Sequence, residues 1–242
     1  MKTRIALAIL SFIACVHAHA GPGYYLISIY ENEGEKSIDF RFWNVAPHNA
    51  KSSYAPEIGF GYGVTKRWYT EVLAGWLHTA QSGTRFNDFA WQNDYLLTQG
   101  QYSFDLALHS EVKRFRDSSQ GYGVEFGPAL QTEFGRTQVN ANLFFDRSYR
   151  SAQANPMQLK YQWQLRHRWR PAFQFGLQGF GELGEWDDWA PRRQQSHRSG
   201  PVVAGTMHLG KTQALKYEFA YLAGKVFATP AKTFVMRVQY EF

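Results

Sequence analysis

The chain has 242 residues, with 26 Lys and Arg against 20 Asp and Glu, which gives a formal net charge of +6. This basic excess is small and spread along the chain, which argues against the clustered basic surface typical of nucleic-acid binding. The 44% apolar content excludes a disordered chain, and the 17% aromatic content is its most unusual feature. Beyond the N-terminal leader, no apolar run approaches the roughly 18 residues of a helical membrane span.

The N-terminus has the pattern of a secretory signal peptide. Two basic residues precede the apolar run 5–16, and small residues follow at Ala18 and Ala20. We expect cleavage after Ala20, with Ala18 as the alternative, so that residues 1–20 leave the exported chain. The only cysteine, Cys15, lies in this leader, and an acylated lipoprotein N-terminus remains an alternative. After cleavage no thiol is left for disulfides or metal ligation.

Residues 21–35 are predicted to form an N-terminal periplasmic segment or a plug. Within them, the stretch 24–30 fits a short extra strand, a periplasmic peg or a plug that reaches into a barrel lumen.

From residue 36 to residue 242 the dominant period is two. In the stretch 157–170, Leu159, Tyr161 and Trp163 fall on one face and polar residues alternate with them. Successive side chains of a strand point to opposite faces, so this pattern predicts amphipathic strands. We predict twelve of them: 36–45, 54–64, 67–78, 85–97, 101–113, 121–134, 137–148, 156–169, 172–183, 200–209, 213–225 and 231–242.

The lengths and connections of these strands indicate a membrane barrel. Most are 10 to 14 residues long, and a tilted strand needs about 9 to 11 residues to cross a bilayer. Short and longer connections alternate without exception in the predicted series, as do periplasmic turns and extracellular loops. The sequence therefore predicts an all-β fold, a single antiparallel transmembrane β-barrel of about twelve strands with both termini in the periplasm.

Aromatic residues indicate which strand face meets lipid. Large rings lie near strand ends on the apolar face, as in the girdles of membrane barrels; they include Trp68, Trp91, Trp163, Trp169, Phe60, Tyr62, Phe134 and Tyr221. The final strand alternates regularly and ends with Tyr240 and Phe242. Such an ending resembles the signal that the barrel-assembly machinery recognises, which implies that machinery and outer-membrane lipid as partners.

One hairpin carries a family resemblance. The stretch 59–68, GFGYGVTKRW, followed by Glu71, resembles a hairpin of uncharacterised proteobacterial outer-membrane barrels that are grouped with the meta-pathway phenol-degradation family. The glycine-rich stretch 173–182 has the same style but is common in barrels. The resemblance implies a channel-like outer-membrane protein, sometimes associated with aromatic-compound catabolism, and it supplies no catalytic residues.

The inward face supplies the candidate site. Strand parity predicts a lumen lined by Asp39, Arg41, Asp105, His109, Glu111, Lys160, Arg166 and Arg168. Basic residues gather on 160–170 and acidic residues on 88–94 and 125–133, so we expect opposed rows of charge across a water-filled lumen. The alternative is a cross-linked interior in which charges pair between neighbouring strands and nearly close the pore.

Other motifs give no convincing catalytic constellation. His109, Ser110 and Glu111 have the residue types of a hydrolytic triad, but Ser110 faces away from both neighbours in a strand. His167 and His208 are the histidines left for a lipid hydrolase, and neither pairs with a serine in the sequence. Histidine spacing within strands does not indicate a metal site. We predict neither a cofactor nor a metal.

The loop predicted at 184–199 contains Trp186, Asp187, Asp188 and Trp189, which are candidates for contact with a sugar or an aromatic ligand. The sequence as a whole predicts a passive, narrow outer-membrane channel for small polar or aromatic solutes. The alternatives are a lipid-modifying enzyme of the outer membrane and a structural or adhesive barrel with a sealed lumen. The transported solute is not specified by the sequence.

Overall fold

The computed structural model describes residues 24–29, 33–153, 156–210, 212–226 and 229–242. The predicted signal peptide lies outside these residues, as do positions 21–23 and 30–32 of the N-terminal segment. In the described part of the chain, no helix has the length and apolarity needed to cross a membrane. A single 3-10 turn, Ser118–Gln120, is the helical element there.

Twelve antiparallel strands form one closed barrel, which confirms the predicted fold class. Each strand pairs with its neighbours in sequence, and the first pairs with the last. The strands are β1 Lys36–Pro47, β2 Ser53–Gly63, β3 Trp68–Thr79, β4 Gly83–Leu96, β5 Phe104–Phe115, β6 Tyr122–Phe134, β7 Thr137–Tyr149, β8 Gln158–Arg170, β9 Phe173–Glu185, β10 Ser196–His208, β11 Ala214–Val226 and β12 Thr229–Glu241.

The barrel closes along the seam between β1 and β12. The Lys36 N–H donates to the Phe242 carbonyl at 3.1 Å, and the Phe242 N–H donates to the Lys36 carbonyl at 2.9 Å. Farther along the seam, Arg41 lies directly opposite Arg237. The end of the barrel where β1 begins and β12 ends is called the proximal end below, and the opposite end is the distal end.

The connections depart from the strict alternation that the sequence predicts. The connections 150–157 and 186–195 are the longest and lie at the distal end, but the distal connection 80–82 is shorter than the proximal connection 97–103. Asp105 explains the long proximal connection, because its carboxylate accepts hydrogen bonds from the Gly100 N–H at 2.8 Å and from Thr98 Oγ1 at 3.1 Å. These bonds hold the residues before β5 in a turn, so that prediction was wrong at this position.

The two faces of the wall are sorted as predicted. Side chains that point away from the barrel are large and apolar, and they are exposed in the isolated chain; they include Phe60, Tyr62, Trp68, Trp91, Phe134, Trp169 and Tyr221. Side chains that point inward are mostly polar. An apolar exterior around a polar interior is the arrangement of a membrane barrel, in which the outer band meets hydrocarbon.

Glycines on the inward face of β2 make room for side chains of β3. A Cβ atom at Gly61 would lie 1.9 Å from Tyr69 Oη, and one at Gly59 would lie 2.5 Å from Glu71 Oε1. Tyr69 Oη therefore passes over β2 and hydrogen-bonds Ser37 Oγ of β1 at 3.0 Å. The glycines of the 59–68 hairpin thus have a packing role, because they let the β3 side chains reach across the wall.

Candidate solute pathway in the barrel lumen

The inner wall is built from side chains that alternate strand positions direct inward. The most deeply buried polar side chains on this wall are Ser37, Asp39, Glu71, His109, Asn140, Gln164, Gln178, Ser196 and Thr233. Buried charges are costly unless they are paired and hydrogen-bonded. The charged members of this set, Asp39, Glu71 and His109, are accordingly paired.

One cluster of charges spans the barrel seam. Asp39 Oδ2 accepts hydrogen bonds from Arg41 Nε at 2.7 Å and from Arg237 Nε at 2.9 Å. Arg41 also forms an ion pair with Glu71. One carboxylate thus separates two arginines that face each other across neighbouring strands, and a second carboxylate neutralises one of them.

A second cluster runs along the wall from β4 to β8. His109 Nδ1 lies 2.6 Å from Asp94 Oδ1, and His109 Nε2 lies 3.8 Å from Glu125 Oε1. Lys160 continues the chain, because it contacts Glu125 at 3.2 Å and forms an ion pair with Asp146. Acidic and basic groups therefore alternate around this part of the lumen.

Lys113 forms a third centre of charge on β5, on the distal side of His109. Its Nζ lies 3.4 Å from Glu111 and 3.9 Å from Asp88. Together the three clusters correct the expectation of opposed rows of charge. Acids and bases pair mainly with neighbouring strands, because ion pairing within the wall compensates the desolvation that a row of like charge would suffer.

Residues 24–29 lie inside the barrel and occupy much of its distal half. The Tyr24 ring packs edge-on against Trp43 at 5.2 Å and Phe180 at 6.3 Å, and the Arg198 guanidinium lies 4.0 Å from its centroid. The Tyr25 ring lies 5.6 Å from the guanidinium carbon of Arg41. These rings join an apolar cluster with Val45, Ala55, Leu222 and Ala231, which lie near the distal strand ends.

The segment then runs toward the proximal end. Halfway along it, the Ile27 N–H donates to Gln162 Oε1 at 3.1 Å, and Asn142 Nδ2 donates to the Ile27 carbonyl at 3.0 Å. Ile29 packs with Leu96, the last residue of β4, in a smaller apolar cluster. The backbone of the segment is therefore held by amide side chains of the wall, and its apolar side chains fill the lumen beside it.

A polar cavity of about 530 Å³ opens beside this segment at the proximal end. Ser28 and Leu26 form one side of it, and Thr206 and Lys216, which lie near the proximal strand ends, form part of the other. The wall also carries Arg166, Arg168, Arg237, Asp105, Glu133 and Glu218. The lumen thus contains a hydrophilic vestibule that is bounded on one side by residues of segment 24–29.

Arg166 is the vestibule cation with the loosest pairing. Its Nη1 lies 4.0 Å from Glu218, its Nη2 donates to Gln138 at 3.1 Å, and its buried Nε has no hydrogen-bond partner among the described residues. Arg168, in contrast, forms an ion pair with Glu133. A small solute in the vestibule would meet Arg166 as the least neutralised charge.

The structure thus divides the predicted lumen residues between two places. Asp39, Arg41, His109, Glu111 and Lys160 lie in the paired clusters, whereas Asp105, Arg166 and Arg168 line the vestibule. Sequence reasoning missed the residues that hold segment 24–29, which are Gln162, Asn142, Phe180 and Arg198. The alternation along each strand places these residues on the inward face, but nothing in the surrounding sequence indicates a partner more than a hundred residues away.

The loop candidates lie at the distal end. Asp187 and Asp188 are exposed, as is Trp189, whose backbone bridges to Gly184. The Trp186 ring lies 6.4 Å from Phe145, which belongs to the outward face of β7. The Trp186 side chain therefore packs on the outside of the barrel. At the opposite end, the Tyr240 and Phe242 rings stack at 5.6 Å on the outer face of the seam.

The two histidines considered for a lipid hydrolase, His167 and His208, lie at the proximal ends of β8 and β10. His167 Nδ1 lies 3.2 Å from Thr137 Oγ1, and His208 ends β10. In the part of the chain that the structure describes, neither histidine forms a hydrogen bond with a serine, and no three His, Cys, Asp or Glu side chains are grouped for a metal ion. Ser110 Oγ contacts the Asn93 carbonyl at 3.5 Å, away from His109.

The fold and the lumen define a class, the twelve-stranded outer-membrane-type β-barrel. The chain is similar to the COG4313 outer-membrane channel from Pseudomonas putida F1, with a TM-score of 0.64 and 11% identity over 90% of this chain and 98% of that one. It is also similar to the KdgM porin (TM-score 0.57, 10% identity, 85% and 99% coverage). A third similar structure is the translocator domain of the autotransporter NalP from Neisseria meningitidis (TM-score 0.51, 9% identity, 88% and 89% coverage).

At such low identities, these similarities establish the fold alone. No protein-family model matches the sequence, and no curated protein sequence matches it. The resemblance to the meta-pathway phenol-degradation family therefore stays a prediction.

Proposed function

We propose that the protein is a passive outer-membrane channel for small polar or aromatic solutes, and that residues 24–29 close it in the conformation described here. The observation that supports the proposal most directly is the hydrophilic cavity of about 530 Å³, which is bounded by the short segment 24–29. A barrel whose lumen served only as a core would be filled by side chains of its own wall. Here the distal obstruction comes largely from a separate segment held by a few side-chain contacts.

The orientation follows from strand number. With twelve strands both termini lie at the same end, and in barrels of this type that end is periplasmic. The proximal vestibule then faces the periplasm, and the connection 186–195 faces the exterior. Export by the signal peptide and insertion through the terminal Tyr240 and Phe242 belong to the same proposal.

The composition of the vestibule wall favours a polar solute. It carries four cations and three carboxylates, so it offers hydrogen bonds of both kinds without a dominant charge. One similar porin, KdgM, was solved in complex with disordered oligogalacturonate, which is a polar oligosaccharide. The aromatic solutes in the proposal rest on the family resemblance of the 59–68 hairpin.

The test is planar-bilayer conductance of the refolded full chain and of a Tyr24→Ala/Tyr25→Ala variant. The double change removes the two rings that fill the distal lumen, so we expect small or intermittent current from the unchanged chain and a several-fold larger current from the variant. Liposome swelling in uncharged sugars of increasing size would then give the size limit. Trp91→Ala, an outward-facing change, is the matched control and should leave the current unaltered.

A barrel with a sealed lumen is the second candidate, and the three charge clusters favour it because they cross-link the wall. It predicts no current from either the unchanged chain or the double variant, provided that both migrate as folded barrels. That result would overturn the channel proposal and leave a structural or adhesive role.

A further inference from the structure

The outward face of β5 to β7 carries two arginines at its distal edge. Arg114 follows the exposed Leu108 and Val112 on the same face of β5, and Arg147 follows Leu143 on the outward face of β7. Both arginines are exposed. The carboxylates of these three strands all fall on the inward positions, so the outward edge carries positive charge only.

Each arginine is held against a tyrosine. The Arg114 guanidinium carbon lies 4.3 Å from the Tyr122 ring centroid, and that of Arg147 lies 5.2 Å from Tyr149. Tyr122 and Tyr149 are direct partners in the β6–β7 register, so the four side chains form one cluster, named here the arginine–tyrosine rim. Stacking on a ring orients a guanidinium and leaves its edge N–H groups available for an anion.

The described part of the chain supplies no carboxylate partner to the arginine–tyrosine rim. None of the ion pairs between described residues includes Arg114 or Arg147. The exposed carboxylate nearest to Arg114 in sequence, Asp117, accepts hydrogen bonds from the Ser119 N–H at 2.9 Å and from Ser119 Oγ at 2.7 Å. Two further exposed cations, Arg116 and Arg150, lie in the connections that flank the rim.

An apolar floor lies on the membrane side of the rim. The Phe126 and Phe145 rings stack at 5.7 Å, and the Trp186 ring meets Phe145 edge-on at 6.4 Å. Phe126 and Trp186 remain 39% and 51% exposed. An arginine pair above aromatic rings matches an amphipathic molecule, with phosphates at the level of the guanidinium groups and acyl chains below.

We propose that the arginine–tyrosine rim and the Phe126, Phe145 and Trp186 floor form a binding site for a phosphorylated glycolipid of the outer leaflet, the lipid A part of lipopolysaccharide. Arg114 and Arg147 lie two strands apart, which at about 4.8 Å per strand separates them by about 10 Å across the wall. They are therefore placed to contact two phosphates, each with charge-assisted hydrogen bonds. The site is on the outer surface, so it does not depend on whether the lumen conducts.

The experiment compares binding of three probes to the detergent-solubilised full chain by native mass spectrometry: bisphosphorylated lipid A, dephosphorylated lipid A and inorganic phosphate. The Arg114→Gln/Arg147→Gln variant should bind bisphosphorylated lipid A at least about tenfold more weakly than the unchanged chain does. Its binding of dephosphorylated lipid A should not change. Trp186→Ala should weaken the binding of both lipids, because it removes part of the floor. Heat-dependent migration on gels would verify folding of every variant.

Lys232→Gln is the matched control, since Lys232 is an exposed cation near the same end of β12. It should change lipid binding by less than twofold. An equal loss in Lys232→Gln would mean that general surface charge binds the lipid and would overturn the site. Unchanged binding in the double arginine variant would overturn it as well, and so would displacement of the lipid by millimolar inorganic phosphate.

Discussion

Asp39→Asn tests whether the seam cluster is a structural centre of the barrel. The Asp39 carboxylate is fully buried and accepts hydrogen bonds from Arg41 at 2.7 Å and from Arg237 at 2.9 Å. Arg41 keeps Glu71 as a partner after the change, whereas Arg237 loses the carboxylate that neutralises it and faces Arg41 across the seam. Breaking a buried pair by removing one partner costs about 3–5 kcal/mol. We expect the lower limit, about 3 kcal/mol, because the asparagine oxygen still accepts one hydrogen bond.

The matched control is Glu133→Gln. Glu133 also faces inward and pairs with Arg168, but both side chains are well exposed, and exposed pairs contribute about 0–1 kcal/mol. The assay is guanidinium-induced unfolding of the refolded barrel in lipid vesicles, followed by tryptophan fluorescence. Asp39→Asn should lower the unfolding midpoint clearly, and Glu133→Gln should barely move it. Equal midpoints for the two variants would refute the argument that burial makes the seam cluster essential.

Three further outcomes are expected. Gly127→Ala should destabilise the barrel by about 1–3 kcal/mol, because the added Cβ would lie 2.0 Å from the Leu143 carbonyl oxygen. The control is Gly210→Ala, whose Cβ would meet nothing closer than 3.6 Å. Equal stability of the two variants would contradict the reasoning. Arg166→Gln, made in the conducting Tyr24→Ala/Tyr25→Ala background, should shift the reversal potential in a salt gradient toward cation selectivity, and no shift would remove Arg166 from the pathway. Phe242→Ser should lower the amount of folded barrel in outer-membrane fractions without changing total synthesis, and unchanged amounts would refute its role in insertion.

The strands were predictable because their period-two alternation has a simple cause. One face of each strand points to lipid and the other points to the polar interior of the barrel. That signal fails where side chains are small or polar on both faces, as at the start of β10. The sequence predicts strand 200–209, but β10 begins at Ser196. Ser196 Oγ and Arg198 Nη2 contact Glu182 of β9 at 3.0 and 3.1 Å. These cross-strand contacts extend the strand, and the loop predicted at 184–199 shortens to 186–195.

The sequence predicts which residues face the interior but not which residues they pair with there. Parity places Lys160 and Asp94 on the inner wall, whereas the pairs they form depend on strand register, which the sequence does not specify. Segment 24–29 presents the same difficulty in a stronger form. Its apolar residues fit a strand, a peg or a plug equally well, and its position is fixed by contacts with Gln162 and Asn142. Those contacts exist only once the barrel has closed around it.

The distribution of charge connects the lumen with the proposed lipid site. On β5 to β7 the carboxylates point inward, where acidic groups pair with Lys113, His109 and Lys160 of β8. The outward cations of these three strands, Arg114 and Arg147, lie only at the distal edge. If the outer face needed only to be apolar, positive and negative side chains would be excluded from its edges to the same extent. Their restriction to one sign at this edge is the arrangement expected where the wall meets an anionic leaflet. The charges on the outer surface therefore indicate contact with anionic lipid, which is a separate property from conduction through the lumen.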